Sequence, residues 1–128
     1  MALRDQIRIM VVDDMSTSRG LITQALDAFG VRNIVSAQDG QSALQSLSRS
    51  PVHLVISDYN MPGMSGLQLL QSLRQGANTK GCGFILITGR ADRETIATGQ
   101  KLGMNNFIAK PFTPQELRSC IEAVVGRL

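Results

Sequence analysis

The chain has 128 residues, 43% apolar and 18% charged, the make-up of a single globular domain able to bury an ordinary core. No apolar run approaches a membrane span and no signal-peptide pattern opens the chain, so a cytoplasmic protein is expected. The net charge of +3 arises from basic residues scattered between Arg4 and Arg127, with no basic run and no aromatic interleaving, which speaks against nucleic acid and for a partner with an acidic contact surface.

In chain order, Ile9-Met10-Val11-Val12 reads as a first buried strand that runs directly into Asp13-Asp14. Ser16 or Thr17 is placed to cap a helix whose Leu21, Ile22, Ala25, Leu26 and Phe29 recur at helical spacing, and Gly30 supplies the stop. Residues 33–37 form a second, shorter strand. Asp39-Gly40 opens a helix with Ala43, Leu44 and Leu47 on its apolar face, ended by Ser50-Pro51. His53 stands before the next strand as a surface or edge residue.

Leu54-Val55-Ile56 is the central strand, and it ends at a carboxylate, Asp58. Asn60, Pro62-Gly63 and Gly66 are turn residues. The glycines at 63 and 66 do not form a dinucleotide fingerprint, because they follow the third strand at the wrong spacing. Ser65 caps a helix carrying Leu67, Leu69, Leu70 and Leu73, and residues 75–83 read as a polar surface loop.

Phe84-Ile85-Leu86-Ile87 is a fourth strand, ending at Thr88. A helix over 92–102 contains Gly99, which costs roughly 1 kcal/mol relative to alanine, so this helix is expected to be the loosest. Gly103 ends it, and Asn106 to Ala109 is a last strand reaching Lys110-Pro111. Thr113-Pro114-Gln115-Glu116 has the form of a capping box with proline at the first helical position. Leu117, Cys120, Ile121, Val124 and Val125 then face the core. Cys82 and Cys120 have no metal-ligand spacing and are expected to be reduced thiols, Cys120 in the core. Five strands alternating with five helices, without repeat or linker, predict one α/β domain around a parallel sheet.

Chemistry collects at the strand ends. The first strand delivers Asp13 and Asp14, the third Asp58, the fourth Thr88 and the fifth Lys110. Parallel strands bring these ends to one edge, where open α/β sheets place their ligand sites. Three carboxylates repel one another unless a divalent cation joins them, and an all-oxygen set suits Mg²⁺ with phosphate as co-ligand. A hydroxyl and an ammonium opposite serve the remaining phosphoryl oxygens. The inferred chemistry is phosphoryl transfer onto Asp58 as nucleophile. Taken singly each residue has a plain reading: Asp13-Asp14 as a helix-entry pair, Asp58-x-Asn60 as a turn, Lys110 as a solvated charge, Phe107 and Phe112 as core.

The ordered set D-D at 13 and 14, S-D-Y-N-M-P-G at 57–63, T-G at 88 and 89, and K-P-F at 110–112 resembles the receiver domains of two-component response regulators. The resemblance spans essentially the whole chain. It implies a doubly wound five-stranded sheet in the order 2-1-3-4-5, with Asp58 as phosphoacceptor. It further implies Mg²⁺ ligation by Asp14, Asp58 and the main-chain carbonyl of Asn60, with Asp13 acting largely through water. Thr88 and Lys110 would bind the phosphoryl group, and the Lys110-Pro111 peptide would be cis. Phe107 would be the switching aromatic of a bistable face made by the fourth helix, last strand and fifth helix, with Ile96 and Phe112 as further switch or partner residues. Asn60 and Arg90 occupy the positions that tune the phosphoryl lifetime.

With no output domain expected after Leu128, the chain is similar to stand-alone chemotaxis regulators of the CheY type. That implies a monomer, phosphorylated by a chemotaxis histidine kinase and served by a phosphatase, which binds the flagellar motor switch. The rival readings are a phosphate sink or phosphorelay intermediate, a haloacid-dehalogenase-like Mg²⁺ phosphohydrolase, and an inert interaction module. The second has its acidic groups in the reverse chain order.

Overall fold

The computed structural model describes residues 2–89 and 92–128. Its elements run α1 (Leu3–Gln6), β1 (Arg8–Val12), α2 (Ser16–Ala28), β2 (Asn33–Ala37), α3 (Gly40–Arg49), β3 (Leu54–Asp58), α4 (Gly66–Gln75), β4 (Gly83–Thr88), α5 (Arg93–Lys101), β5 (Asn106–Ala109) and α6 (Pro114–Val125). The strands pair in parallel in the order β2-β1-β3-β4-β5, as expected. The chain first steps from β1 outward to β2, then returns across the sheet to β3, so the winding reverses between β1 and β3. A crevice opens at that point, outside the carboxyl ends of the strands.

Alternation along the strands sorts side chains into two layers. Ile9, Val11, Leu54, Ile56, Ile85 and Ile87 face α2 and α6, meeting Ile22, Leu26, Leu117 and Ile121. Met10, Val12, Val55, Phe84 and Leu86 face the other way, against Ala43, Leu47, Leu69, Leu70 and Leu73 of α3 and α4. Every residue of β3 is buried, which is why its sequence shows an unbroken apolar run rather than alternation.

Three of the expected helix starts are seen as read. Asp39 accepts the Ser42 N–H, and Ser65 and Thr113 form capping boxes with Gln68 and Glu116. Gly30 and Gly103, at φ of 90° and 94°, end α2 and α5 in a conformation that favours glycine. Cys120 is buried, as expected. Its thiol lies 3.6 Å from the Phe107 carbonyl oxygen, and burial pushes its pKa up to about 11.

The structure corrects three details. The described residues form six helices rather than five: the added α1 is a single turn with no capping side chain, held by Leu3 packed on the core and by the Ile7 N–H donated to Leu3 O at 2.9 Å. Neither Ser16 nor Thr17 caps α2. The helix begins at Ser16 with Met15 in the cap position, and the Asp13 carboxylate accepts the Met15 N–H at 3.0 Å instead. Finally, α4 runs through Gln75 and β4 begins at Gly83, and the loop between them is not wholly on the surface. Thr79 is buried, with its hydroxyl donating to Leu73 O at 2.7 Å.

Candidate functional site

Each strand that borders the crevice brings its own residue. β1 is buried through Val12, so the chain leaves the sheet at Asp13, whose residue exposure is 0%, while Asp14 turns outward into solvent. The Asp13 position is secured twice: Oδ1 accepts the Met15 N–H, and Arg19 Nη1 donates to the Asp13 carbonyl at 2.7 Å. Its other oxygen, Oδ2, is buried and has no hydrogen-bond partner among the described residues. An orphaned carboxylate oxygen in the interior is costly, by about 1–3 kcal/mol or more, unless something else fills its coordination.

β3 carries Asp58, 6% exposed, to the same place. Ligand oxygens from Asp13, Asp14 and Asp58 all lie within 4.8 Å of one another. From the far side, Lys110 Nζ reaches Asp58 Oδ2 at 3.3 Å. Burial pushes the Asp58 carboxyl above its ordinary value; the Lys110 ammonium opposes that shift and the Asp13 charge reinforces it. Thr88 is buried at the end of β4, and Lys110 is tied to it by an N–H donated to Thr88 O at 2.8 Å. The Lys110-Pro111 peptide is cis, as expected.

Between these residues lies an open cleft of about 420 Å³, lined by Asp14, Met15, Asp58, Tyr59, Asn60, Thr88, Gly89 and Lys110. One wall depends on Gly66. A Cβ there would run into the Asp58 carbonyl oxygen and approach Leu86 Cδ1 at 2.9 Å, while the Gly66 N–H donates to Tyr59 O at 2.9 Å. Only glycine lets the start of α4 lie this close to the Asp58 turn. Chemically the cleft offers hard oxygen donors on one side and an ammonium on the other, a combination that can hold a divalent cation together with a phosphoryl group.

The model of the response regulator receiver domain matches residues 9–122. The chain belongs to this family. The probable chemotaxis protein CheY of Rhizobium etli is 43% identical over 128 residues, covering 100% of this chain and 99% of that protein. Chemotaxis protein CheY-3 of Vibrio cholerae is 36% identical over 126 residues, covering 98% of this chain and 97% of that one. Among solved structures, Vibrio cholerae chemotaxis protein CheY4 superposes with a TM-score of 0.88 at 26% identity, over 94% of this chain and 99% of its own. The protein is thus a response-regulator receiver of the CheY type, the type of chemotaxis two-component signalling, and a signalling protein rather than a classical enzyme.

Of the residues singled out in the sequence, this receiver brings Asp13, Asp14, Asp58, Thr88 and Lys110 together, with Asn60 exposed at the cleft lip. It does not bring the three switch or partner residues onto one face. Phe107 is half-buried against the α3–α4 layer, Phe112 packs against the α2–α6 layer, and Ile96 is half-buried on α5. The alternation of β5 and the turn after Pro111 send the two aromatics to opposite sides of the sheet. Arg90 lies outside the described residues. Sequence reasoning missed Met15 and Tyr59 as cleft walls. Met15 is 59% exposed, and its adjacency to Asp14 was its only signal.

Proposed function

We propose that this receiver is a phosphorylation-activated switch in which Asp58 accepts a phosphoryl group from a histidine kinase in the presence of Mg²⁺. The observation that carries the reading is the buried Asp13 Oδ2, unpartnered among the described residues, beside Asp58 and Asp14 and opposite Lys110. That donor set fits a cation that takes only oxygen, which would be held by Asp14, Asp58 and the Asn60 carbonyl, with Asp13 through water. Bound there, Mg²⁺ would supply positive charge to the phosphoryl oxygens.

The remaining work falls to the chain's own groups. An Asp58 carboxylate oxygen attacks phosphorus, the P–N bond of the donor phosphohistidine breaks, and the imidazole leaves with the bonding pair and takes up a proton. A mixed anhydride remains on Asp58. Lys110, now 3.3 Å from Asp58 Oδ2, would exchange that ion pair for one with a phosphoryl oxygen, and the Thr88 hydroxyl would donate to another. Movement of Thr88 and Lys110 would then be felt in β5 and the α5–β5–α6 face, where Phe107 and Ile96 lie.

The output we assign is binding of that face to the flagellar motor switch, by a cytoplasmic monomer comprising one receiver domain. The free thiols Cys82 and Cys120 suit a reducing compartment. A phosphate sink or relay without motor output is the second reading, favoured by Phe107, which offers a partner no hydroxyl; binding to a motor-switch peptide separates the two.

Intact mass after incubation with acetyl phosphate, with and without Mg²⁺, tests the reading on wild type and Asp58→Asn. A Mg²⁺-dependent phosphoryl adduct on the wild type alone is expected. An adduct on both proteins would show that the nucleophile is another residue, and no adduct on either would remove the phosphoacceptor role.

A further inference from the structure

The edge strand β2 pairs only with β1, so the outer row of its backbone N–H and C=O groups has no ladder partner. Edge strands are ordinarily blunted by charge, proline or a bulge. β2 reads Asn-Ile-Val-Ser-Ala and has neither charge nor proline, and Val35 is 47% exposed on it. Beside the strand is a pit of about 290 Å³, whose lining includes Val35, Val52 and Ser46 together with Arg8 and Arg32.

No carboxylate lines the pit. Arg32 has no ion pair or side-chain hydrogen bond among the described residues, and the Arg8 guanidinium donates only to the Pro51 carbonyl, at 2.6 Å. Arg8 and Arg32 are the charged residues of the pit lining, so its balance is basic.

We propose that β2 is a docking edge for an extended acidic segment of a partner protein. The segment adds as a sixth strand, seats an aliphatic side chain against Val35 and Val52, and sets carboxylates against Arg8 and Arg32. Three features converge on that occupant. A free strand edge takes an extended backbone and an apolar pit takes an alternate side chain. The two guanidiniums, which have no carboxylate partner among the described residues, take carboxylates, and they do so bidentately.

The other occupants fit less well. A second copy of this chain brings no complementary charge, because its own strand carries no carboxylate between Arg32 and Gln38. Single-stranded nucleic acid needs an aromatic platform, and the pit lining contains none. Arg8 and Arg32 lie at the amino end of the sheet, and β1 separates the outer edge of β2 from the strand that carries Asp58, so the segment docks for recruitment outside the cleft.

The test is a ¹⁵N–¹H NMR titration with a blocked peptide alternating glutamate with valine and isoleucine. Shift changes confined to Arg8 and to residues 32–37 and 46–52 are expected, with slowed exchange of β2 amides. Affinity should fall by about tenfold or more in Arg8→Glu/Arg32→Glu and in Val35→Glu, and also with added salt. All three side chains are exposed, and unchanged spectral dispersion confirms that the variants fold. Shifts at the Asp58 cleft, affinity unmoved by the substitutions, equal binding of a lysine-for-glutamate peptide or of oligothymidylate, or concentration-dependent dimerisation through β2 would each overturn the proposal.

Discussion

At the amino end of the sheet the backbone polar groups between strands are closed into pairs. The Arg8 N–H donates to His53 Nδ1 at 2.9 Å, the His53 N–H returns to Arg8 O at 3.0 Å, and the Gly83 N–H takes His53 O at 2.8 Å. One residue thus ties β1 to β4 across the start of β3. At the carboxyl end, Asp13 Oδ2 is buried without a partner among the described residues, and ligand oxygens of Asp13, Asp14 and Asp58 lie within 4.8 Å of one another. The same strands therefore begin in satisfied hydrogen bonds and finish in three clustered carboxylates that the Lys110 ammonium compensates only in part. The difference teaches where stability and function lie: one end holds the register, and the other stores repulsion that a ligand can relieve.

The sharpest way to break that comparison is Gly66→Ala. The added methyl group meets the Asp58 carbonyl oxygen, so a loss of about 2–3 kcal/mol in urea unfolding is expected, with slower phosphorylation of Asp58. A wild-type urea midpoint would show that α4 can withdraw without cost. Asp13→Asn should act in the opposite sense. Removing a buried, unpaired charge should raise stability by about 1–2 kcal/mol without divalent cation, while the gain on adding Mg²⁺ shrinks. Stability curves with and without Mg²⁺ check both halves, and a destabilised variant in metal-free buffer would count against the stored-repulsion account.

At the other end, His53→Ala removes one acceptor from an exposed, satisfied network. A loss of about 0.5–1.5 kcal/mol is expected, with unchanged phosphorylation by acetyl phosphate. The smallest effect concerns acid stability. The Ser42 N–H holds the Asp39 carboxyl below its ordinary value of 3.8, so its contribution is fully present above that value and is lost as pH falls through the depressed folded one. Asparagine caps equally well but does not titrate in this range. Asp39→Asn should leave stability near neutrality unchanged and flatten its decline below about pH 4. An identical acid limb would assign that decline to other carboxylates.

Much of this molecule could be read before it was seen. The four-residue apolar runs of β1 and β4 and the run opening β3 announced a sheet buried on both faces, because only two-sided burial removes the alternation. Asp39, Ser65 and Thr113 announced helix starts through side chains that satisfy free N–H groups locally. Asp13, Asp14, Asp58, Thr88 and Lys110 were recognisable because parallel strands carry their last residues to one edge whatever lies between them.

What escaped the reading depends on distant neighbours. The single turn of α1 has no pattern of its own and exists because Leu3 finds the core. Met15 occupies the cap position of α2 because Asp13 reaches back to its N–H, a geometry set by where β1 ends. Phe107 and Phe112 both had a core reading, and only the fold shows that they pack on opposite faces of the sheet. Val35 looked like an ordinary strand residue, and only the position of β2 at the sheet edge leaves it exposed.

By itself, then, the amino-acid sequence determined the succession of elements and the identities of the reactive groups, because propensity, capping and the terminal residues of strands are local properties. The orphaned oxygen of Asp13, the layer to which each aromatic belongs and the bare edge of β2 were decided only by the tertiary structure. Burial and hydrogen-bond satisfaction are relations between segments that meet only once the chain has folded.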